Sequence, residues 1–419
     1  RMDVTVVSLS DPAQLRGDAR RAHDDFVAAG GVVGAWRDDC LTSAEVVVDA
    51  IFGIGLSREL DPTLIYQIQS INDCGVPILA LDIPSGLDAD TGAVWGAAIT
   101  AERTLSFIGL KLGFYVGEGP NHIGIVLFDD LDLPEGATSF VKPSALRIGE
   151  HALAELLPRR RRTTHKGQQG SVLVIGGGIG MAGAARMAGE AALRAGAGLV
   201  TVATWPDNVA SITASRPELM CRGVEGAPEL EAMIERADIL AIGPGLGRDG
   251  WAQELLDKAL LSDKPTVIDA DALNLLSHAP RANSQWILTP HPGEAGRLLG
   301  ISTAEVQSNR VQSARELARR FACTVVLKGA GTLVVTNDCL PSICDQGNPG
   351  MASPGMGDVL TGVIAGIAAQ TADLPGAARV GVLVHAMAGD MAARRGERGL
   401  LATDLFGYLP TCVNPVQRF

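Results

Sequence analysis

Short, fully apolar runs separated by glycine loops and helix-length spacers limit most strongly how this chain can fold. The first part contains such runs at 46–49 and 78–82, each ending in an aspartate, and at 124–128. The second part contains them at 172–175, 199–202, 239–242, 266–268 and 286–288. Runs without polar alternation are typical of strands covered on both faces in parallel sheets. Two further runs, 324–327 and 333–335, indicate a hairpin. The sequence therefore predicts two doubly wound α/β domains.

The 419 residues are enough for such a pair of domains. We place the boundary near residue 150, which gives domains of 1–150 and 151–419, because Pro158 and the four arginines at 159–162 separate the two series of runs. The arginines are typical of a solvated linker or helix end, and a phosphate-facing patch is the alternative. An apolar run at 4–7 follows directly after Arg1-Met2, so we expect that residues upstream are missing.

Charge and cysteine content exclude several classes of function. The formal net charge of −12 disfavours nucleic acid and membrane surfaces as partners. Seven dispersed cysteines and seven dispersed histidines show neither a C-x-x-C pair nor zinc-ligand spacing, which indicates a reduced, cytoplasmic chain without structural metal. No apolar stretch makes a convincing membrane span.

Two common nucleotide motifs can be tested directly. Gly178, Gly180 and Gly183 form G-x-G-x-x-G after an apolar run, but the next run ends at Val202-Ala203-Thr204 without the acid that holds a ribose. None of the six lysines follows a glycine, so a Walker-type loop is excluded as well. What is left is a small-residue loop that lets a ligand approach a helix packed through Ala184, Ala185 and Ala188.

The segment G-M-G-D-V-L-T-G at 355–362 is the strongest local signal. Its glycines free backbone N–H groups at the start of a helix, where the helix dipole adds positive potential, and together these make an anion cradle. Asp358 at the lip of that cradle could accept a proton from a hydroxyl that is being phosphorylated. The alternative is an aspartate that caps a helix.

Four more loops fall on the same predicted edge of the second sheet. They are Lys328 with the glycine turn after it, His291 between a strand and a helix, G-P-G-L-G at 243–247 and D-A-D-A-L-N at 269–274. Each has an ordinary structural explanation: a plain hairpin turn for the first, helix-start chemistry for the second, and caps for the acids. Because ligands bind at the carboxyl ends of parallel strands, their convergence indicates a site.

Taken together, these motifs resemble those of the bifunctional NAD(P)H-hydrate repair enzymes, over nearly the whole chain. The part from Lys166 to Gly362 resembles their ribokinase-like dehydratase domain, through G-P-G-L-G, D-A-D-A-L-N, T-P-H-P-G-E, K-G-A-G-T and G-x-G-D in this order. The first part, with D-A-I-F-G-I-G-L at 49–56 and D-I-P-S-G-L-D at 82–88, resembles their Rossmann-like epimerase domain.

The resemblance implies that the second domain dehydrates the S-epimer of hydrated NADH or NADPH, using ADP or ATP with Mg²⁺. It implies that Ala184, Gly245, His291 and Asp358 line the pocket for the hydrate, with Asp358 as the catalytic base. It further implies that the adenine nucleotide is held by Lys328, Gly329, Ala330, Gly331, Thr332 and Gly357.

For the first domain the resemblance implies an epimerase with a K⁺ ion on Asp49 and Ser85. The hydrate would contact Gly53, Ile54, Gly55, Leu56, Ser57, Arg58 and Glu59, together with a catalytic Asp82. The family has a glycine- and asparagine-rich loop ahead of the first run, and nothing in this sequence matches it. We therefore expect an incomplete epimerase domain with impaired activity, whose exposed sheet edge favours a homo-oligomer.

Two alternatives are kept open by the residues themselves. The second domain could be a ribokinase-like small-molecule kinase that releases a stable phosphorylated product. The first domain could be a scaffold or interaction module without catalysis.

Overall fold

The computed structural model describes residues 3–134, 136–337 and 339–414. It divides into two compact units, Arg1–Val141 and Lys142–Phe419. The division lies slightly before the boundary near residue 150 that the sequence suggested, and the limits of the functional domains stay a prediction. Each unit has a mixed α/β architecture with parallel strands, as the apolar runs predicted.

The first unit contains two parallel sheets. Its elements are β1 (Val6–Ser8), α1 (Gly17–Ala28), β2 (Val33–Ala35), β3 (Val47–Asp49), α2 (Pro62–Asn72), β4 (Ile78–Leu81), β5 (Arg103–Phe107), α3 (Gly119–His122) and β6 (Ile125–Asp129). Strands β1 and β2 pair with each other, and β3-β4-β5-β6 form a four-stranded sheet in which all pairs are parallel. Asp49 therefore ends β3 and Asp82 directly follows β4, on neighbouring strands.

The second unit is built on one ten-stranded sheet. Its elements up to the middle of the sheet are β7 (Leu146–Arg147), α4 (His151–Leu156), β8 (Ser171–Ile175), α5 (Ala182–Arg194), β9 (Leu199–Thr204), α6 (Val209–Ser215), β10 (Met220–Gly223), α7 (Ala227–Arg236), β11 (Ile239–Ile242), α8 (Gly250–Leu260) and β12 (Thr266–Ile268). They continue with α9 (Ala270–His278), β13 (Trp286–Leu288), α10 (Pro292–Leu299), α11 (Thr303–Ser308), α12 (Arg310–Phe321), β14 (Thr324–Leu327), β15 (Thr332–Val335), β16 (Ser342–Cys344), α13 (Met356–Ala368), α14 (Leu374–Ala392) and α15 (Leu409–Cys412).

The order of the strands in this sheet fixes where a ligand can bind. The order is β10-β9-β8-β11-β12-β13-β14-β15-β16-β7, parallel from β10 to β14 and antiparallel at both pairs of β15. The chain leaves β8 toward β9 and β10 on one side, and then returns to place β11 on the other side of β8. Adjacent strands whose connections leave in opposite directions open a crevice at their carboxyl ends.

The core of the second unit lies where α5, α13 and α14 pack on the sheet. Small side chains dominate it: Ala185, Ala188, Ala191 and Ala192 of α5 are all fully buried. Gly362 of α13 lies so close that an added Cβ would stand 2.0 Å from the carbonyl oxygen of Ala188. The two helices therefore meet backbone to backbone, which requires glycine on one side.

Several elements were not predicted from the sequence, because they lack a fully apolar run. Two of the three residues of β2 (Val33–Ala35) are glycine and alanine, and β5 (Arg103–Phe107) alternates polar and apolar residues from Thr104 on. Strands β10, β16 and β7 are short and lie toward the sheet edges. The four arginines at 159–162 are exposed, and Arg160 donates to the carbonyl oxygen of Gly196 at 2.5 Å. Across the described ranges, we find no helix with the length and hydropathy that membrane crossing requires.

Candidate active sites

The crevice between β8 and β11 is closed by two glycine loops that bond to each other. The N–H of Gly178 donates to the carbonyl oxygen of Gly245 at 2.7 Å, and the N–H of Gly177 donates to that of Pro244 at 3.0 Å. Gly245 has a positive φ of 58°, and an added Cβ would stand 3.0 Å from the Cβ of Ala184. The two small residues predicted to line one pocket, Ala184 and Gly245, therefore lie in contact at the crevice.

Helix α13 brings Asp358 to the same place. Gly362 faces Ala188 and Gly366 faces Ala192, so the two helices run parallel with matching steps of four residues. One turn earlier on each helix, this register sets Asp358 level with Ala184. Asp358 lies in the first turn of α13, whose N-cap is Gly355 with a φ of 89°.

The Asp358 carboxylate is free of structural duties. It makes no helix-capping bond, and within the described residues it has neither a hydrogen bond nor a salt bridge. Burial raises the pKa of Asp358 to about 7, with a further contribution from the negative charge of Asp269, although Lys328 opposes the rise. A carboxyl group that titrates near neutrality beside a crevice is suited to accept a proton.

Lys328 is held by two carboxylates rather than left open. Its Nζ lies 2.6 Å from Oδ1 of Asp269 and 3.8 Å from Oε2 of Glu294, while the other Asp269 oxygen accepts from the Thr361 hydroxyl at 2.8 Å. Burial lowers the pKa of Lys328, but Asp269 and Glu294 outweigh it, so that the pKa is raised overall. The lysine is thus a fixed cation, and Asp269 a fixed anion with both oxygens occupied.

Gly357 lies directly over this ion pair. An added Cβ would stand 3.3 Å from Nζ of Lys328 and 3.6 Å from Oδ2 of Asp269. Lys328 directly follows β14, and the turn from Lys328 to Thr332 joins β14 to the antiparallel β15, as predicted. The structure therefore brings together Gly357 and the start of the turn expected to hold the nucleotide.

His291 caps helix α10 and also faces the rim. Its Nδ1 accepts from the N–H of Gly293 at 3.0 Å and of Glu294 at 3.3 Å, and Glu294 accepts in return from the N–H of His291 at 2.8 Å. Burial, with the nearby charges of Lys328 and Arg297, lowers the pKa of His291, which favours the neutral ring. The side chain is still 51% exposed, so the ring can combine a capping role with a contact to a ligand.

In the first unit, the two residues predicted to bind K⁺ are hydrogen-bonded to each other. The hydroxyl of Ser85 donates to Oδ1 of Asp49 at 2.6 Å, and the N–H of Ser85 donates to Oδ2 at 2.8 Å. The carbonyl oxygen of Phe52 lies 3.3 Å from the same hydroxyl. Burial raises the pKa of Asp49, which is 2% exposed. Carboxylate, hydroxyl and carbonyl oxygens form a donor set that fits a hard cation.

Asp82 stands beside this cluster in a left-handed conformation, with a φ of 68° that is rare outside glycine. Its carboxylate accepts from Nζ of Lys111 and from the N–H of Phe107, and the position of a Cβ on Gly53 is 3.9 Å from its other oxygen. A cavity of about 470 Å³ adjoins the loop after β3 and is lined by Ile51, Phe52, Gly53, Gly55, Leu56, Ser57 and Arg58. Asp82 and the start of the predicted hydrate loop thus lie together.

Comparison with known proteins covers both units. Residues 172–411 match the family described as NAD(P)H-hydrate dehydratase, and residues 1–113 match the YjeF-related protein N-terminus. The bifunctional NAD(P)H-hydrate repair enzyme Nnr of Coxiella burnetii is 46% identical over 415 residues, which cover 99% of this chain and 85% of that protein. The protein of the same name from Escherichia coli is 43% identical, over 99% and 80% of the two chains. The chain belongs to the family of bifunctional NAD(P)H-hydrate repair enzymes.

Solved structures agree with the fold of the second unit. The ADP/ATP-dependent NAD(P)H-hydrate dehydratase of Bacillus subtilis, co-crystallised with ATP and Mg²⁺, is 31% identical with a TM-score of 0.59, over 64% of this chain and 97% of that chain. A ribokinase-like superfamily protein of Enterococcus faecalis is also 31% identical, with a TM-score of 0.60 over 65% and 97%. The predicted fold, a parallel-sheet epimerase domain followed by a ribokinase-like α/β domain, is confirmed. The kinase and scaffold alternatives are not favoured.

Four residues of these candidate sites were not given a role of their own from the sequence. Asp269 was predicted only as part of the D-A-D-A-L-N loop at the site edge, with a cap as the alternative, and Glu294 only as helix-start chemistry, although a lysine at the end of a neighbouring strand requires a buried anion as its partner. Lys111 pairs with Asp82, which lies 29 residues earlier in the chain. Arg310, at the start of α12, donates a hydrogen bond to the backbone at the turn between β14 and β15. The scarcity of lysine was a usable signal for Lys111, whereas nothing in the local sequence marks Arg310.

Proposed function

We propose that this chain repairs hydrated NADH and NADPH, with dehydration in the second unit and epimerisation in the first. The observation that carries the dehydratase proposal is the Asp358 carboxylate. It is unpaired within the described residues, its pKa is raised to about 7, and it lies level with Ala184 at the crevice of the sheet. Family membership supports the choice of substrate class. The geometry of the site supports the roles that we propose for its residues.

Dehydration needs a better leaving group than hydroxide, and phosphorylation provides one. Asp358 accepts the proton of the ring hydroxyl while the hydroxyl oxygen forms a bond to the terminal phosphorus of the nucleotide. The bond between that phosphorus and the bridging oxygen of the nucleotide breaks at the same time. Phosphate then leaves the ring carbon as the ring nitrogen donates its electron pair, and loss of a proton from the adjacent carbon restores the double bond. The N–H groups at the start of α13 stabilise the phosphoryl group during transfer. Ala184, Gly245 and His291 line the pocket that holds the hydrate.

The nucleotide, ADP or ATP, is held by the turn of Lys328, Gly329, Ala330, Gly331 and Thr332 together with Gly357. Within the described ranges no cluster of three metal-ligating side chains occurs. A Mg²⁺ ion would be held mainly by the nucleotide phosphates, with a carboxylate such as that of Glu294 in addition. Bound there, the ion would neutralise charge on the transferring phosphoryl group.

Epimerisation is assigned to Asp82, which lies next to Gly53, a residue of the cavity lining that also includes Gly55, Leu56, Ser57 and Arg58 of the loop from Gly53 to Glu59. We assign proton transfer to its carboxylate, and Lys111 holds that carboxylate in place. A K⁺ ion on Asp49 and Ser85 would anchor the loop next to the substrate through oxygen ligands. We further propose the cytoplasm as the compartment and a homo-oligomer as the assembled state, which size-exclusion chromatography with light scattering tests.

Nucleotide stoichiometry tests the proposed function. The full chain is mixed with S-hydrate and a limiting amount of ADP, and the recovered absorbance of the reduced nicotinamide is compared with the phosphate released. We expect one nucleotide consumed for each cofactor recovered. Recovery without any nucleotide would contradict the mechanism, and accumulation of a stable phosphoester without recovery would favour a kinase.

A further inference from the structure

A buried guanidinium without a carboxylate partner lies under the turn that joins β14 and β15. Arg310, the first residue of α12, is 3% exposed. Its Nη2 donates to the carbonyl oxygens of Leu327 at 3.3 Å and Lys328 at 3.1 Å, and its Nη1 donates to Oε1 of Gln307 at 2.7 Å. In the described parts of the chain it forms no salt bridge, and its Nε has no hydrogen-bond acceptor.

This charge is unusual, because buried charges are normally paired. Burial lowers the pKa of Arg310 to about 10, so the side chain is still charged at neutral pH. Lys328, the other cation at this turn, is neutralised by Asp269 and Glu294. The uncompensated positive charge at the turn is therefore that of Arg310, and not that of the lysine which the sequence made prominent.

The backbone of the turn is arranged around the guanidinium. Two successive carbonyl oxygens point to Arg310, and a third, of Gly329, accepts from the hydroxyl of Thr332 at 2.8 Å. The N–H groups of Gly329, Ala330 and Gly331 donate no hydrogen bond within the described residues. Gly329 has a φ of 135°, and an added Cβ would stand 3.0 Å from Nη1 of Arg310. Consecutive free N–H groups above a fixed cation favour an anion.

We propose that Arg310 is a positioning residue for the nucleotide phosphates. It draws the carbonyl oxygens of the turn inward, leaves the N–H groups free for a di- or triphosphate, and supplies the positive potential that attracts it. This inference rests on the proposed function, since it takes the ligand of the turn to be an adenine nucleotide. Arg310 acts through the turn, and the bond-making steps belong to other residues.

Comparison of ADP with adenosine separates phosphate recognition from recognition of the base and ribose. We would titrate the full chain with ADP by calorimetry, and with adenosine in competition, for the wild type, Arg310→Met and Arg310→Lys. The matched control is Arg315→Met, because Arg315 is an exposed arginine on the same helix that forms no hydrogen bond or salt bridge with the described part of the chain. Arg310→Met should weaken the binding of ADP roughly ten- to a hundredfold and the binding of adenosine less than twofold.

Arg310→Lys keeps the charge but cannot span the carbonyl groups of both Leu327 and Lys328. We therefore expect ADP binding to weaken roughly three- to tenfold while adenosine binding is unchanged. In turnover, Arg310→Met should raise the KM for ADP and leave kcat at saturating ADP within about threefold, a division that a collapsed fold would not produce. Equal losses for ADP and adenosine, or no loss in either variant, would overturn the inference. If Arg310→Met does not fold, the lysine variant decides by the same comparison. Failure of the wild type to bind either ADP or ATP would instead overturn the proposed function.

Discussion

Asp269, Glu294 and Asp358 carry the same chemical group on one rim, and their surroundings give them different roles. Asp269 uses both oxygens on Lys328 and Thr361, and Glu294 closes the capping box with His291. Asp358 has no such partner among the described residues, and burial together with the charge of Asp269 raises its pKa to about 7. Only Asp358 combines a free carboxylate with a pKa near working pH, as general base catalysis requires.

Asp358→Asn should slow dehydration of the S-hydrate by roughly 10²–10⁴ with the fold intact. The wild-type rate should rise with pH up to about 7, because the group accepts a proton only once it is deprotonated, and its pKa is raised to about 7. The variant's residual rate should lose this dependence. Rates recorded from pH 5 to 9 check both points, with Asp263→Asn at an exposed aspartate of the same unit as control. An unchanged pH profile in Asp358→Asn would assign the base elsewhere.

Asp358 could be predicted from the sequence, because a glycine pair before a helix marks an anion cradle and the aspartate stands at its lip. Its pKa could not be predicted, since that depends on Asp269, which lies 89 residues earlier in the chain. The same limit applies to Lys328. Its position at the end of an apolar run was visible, but its pairing with Asp269 depends on the order of strands in the sheet.

At the scale of elements, the helix starts and helix contacts hold the site in shape. His291 is the N-cap of α10 and also presents its ring to the rim. A single substitution there therefore changes both helix capping and the contact to a ligand. Gly362 sets the distance between α13 and α5, on which the position of Asp358 depends. Strands in fully apolar runs were predicted well, whereas β5, β10 and β16 were missed because polar residues interrupt or shorten their runs.

A pair of variants at His291 separates capping from binding. His291→Ala removes the cap and should cost about 1 kcal/mol of unfolding free energy, while His291→Asn keeps a good capping side chain and should cost less. Both remove the imidazole, so both should raise the KM for the hydrate, by roughly tenfold if one hydrogen bond is lost. Denaturant unfolding and hydrate saturation curves measure the two effects. A normal KM in His291→Asn would show that His291 serves only as a cap.

Gly362→Ala should destabilise the chain by about 1–3 kcal/mol, even though alanine favours helices by about 1 kcal/mol over glycine. The reason is steric, because the new Cβ would meet the carbonyl oxygen of Ala188 at 2.0 Å and push α13 away from α5. Dehydration should slow along with it as Asp358 moves. Gly250→Ala at the start of α8, where nothing lies within 4 Å, is the control. A more stable Gly362→Ala would contradict the backbone contact.

At the scale of the whole molecule, the first unit has two sheets and the second has one, and each unit has its own set of candidate site residues. The sequence was sufficient to predict two α/β domains and the family, because motif order and spacing are local properties. It could not give Lys111 as the partner of Asp82, nor Arg310 under the nucleotide turn, because both contacts arise only when distant segments pack together.

Asp82→Asn and Asp358→Asn in the full chain should separate the two activities. With S-hydrate and ADP, Asp82→Asn should match the wild type, whereas with R-hydrate its recovery should fall to the rate of spontaneous epimerisation. The predicted weakness of the epimerase is tested alongside, since slow use of R-hydrate by the wild type should then be restored by an added intact epimerase. Slower dehydration of S-hydrate by Asp82→Asn would argue against independent sites.

Strand β7 has a consequence for how the chain can be divided. It is the first strand of the second unit, yet it lies at the far edge of the sheet, where Leu146 and Ile148 donate to the carbonyl oxygens of Pro341 and Ile343 at 2.8 and 2.9 Å. A fragment that starts at His151 loses this strand and leaves β16 as an open edge, whereas one that starts at Lys142 keeps it. We expect the shorter fragment to self-associate and to be cut by trypsin near the exposed edge more readily than the longer one. Equal sedimentation and digestion of the two fragments would show that the edge tolerates the loss.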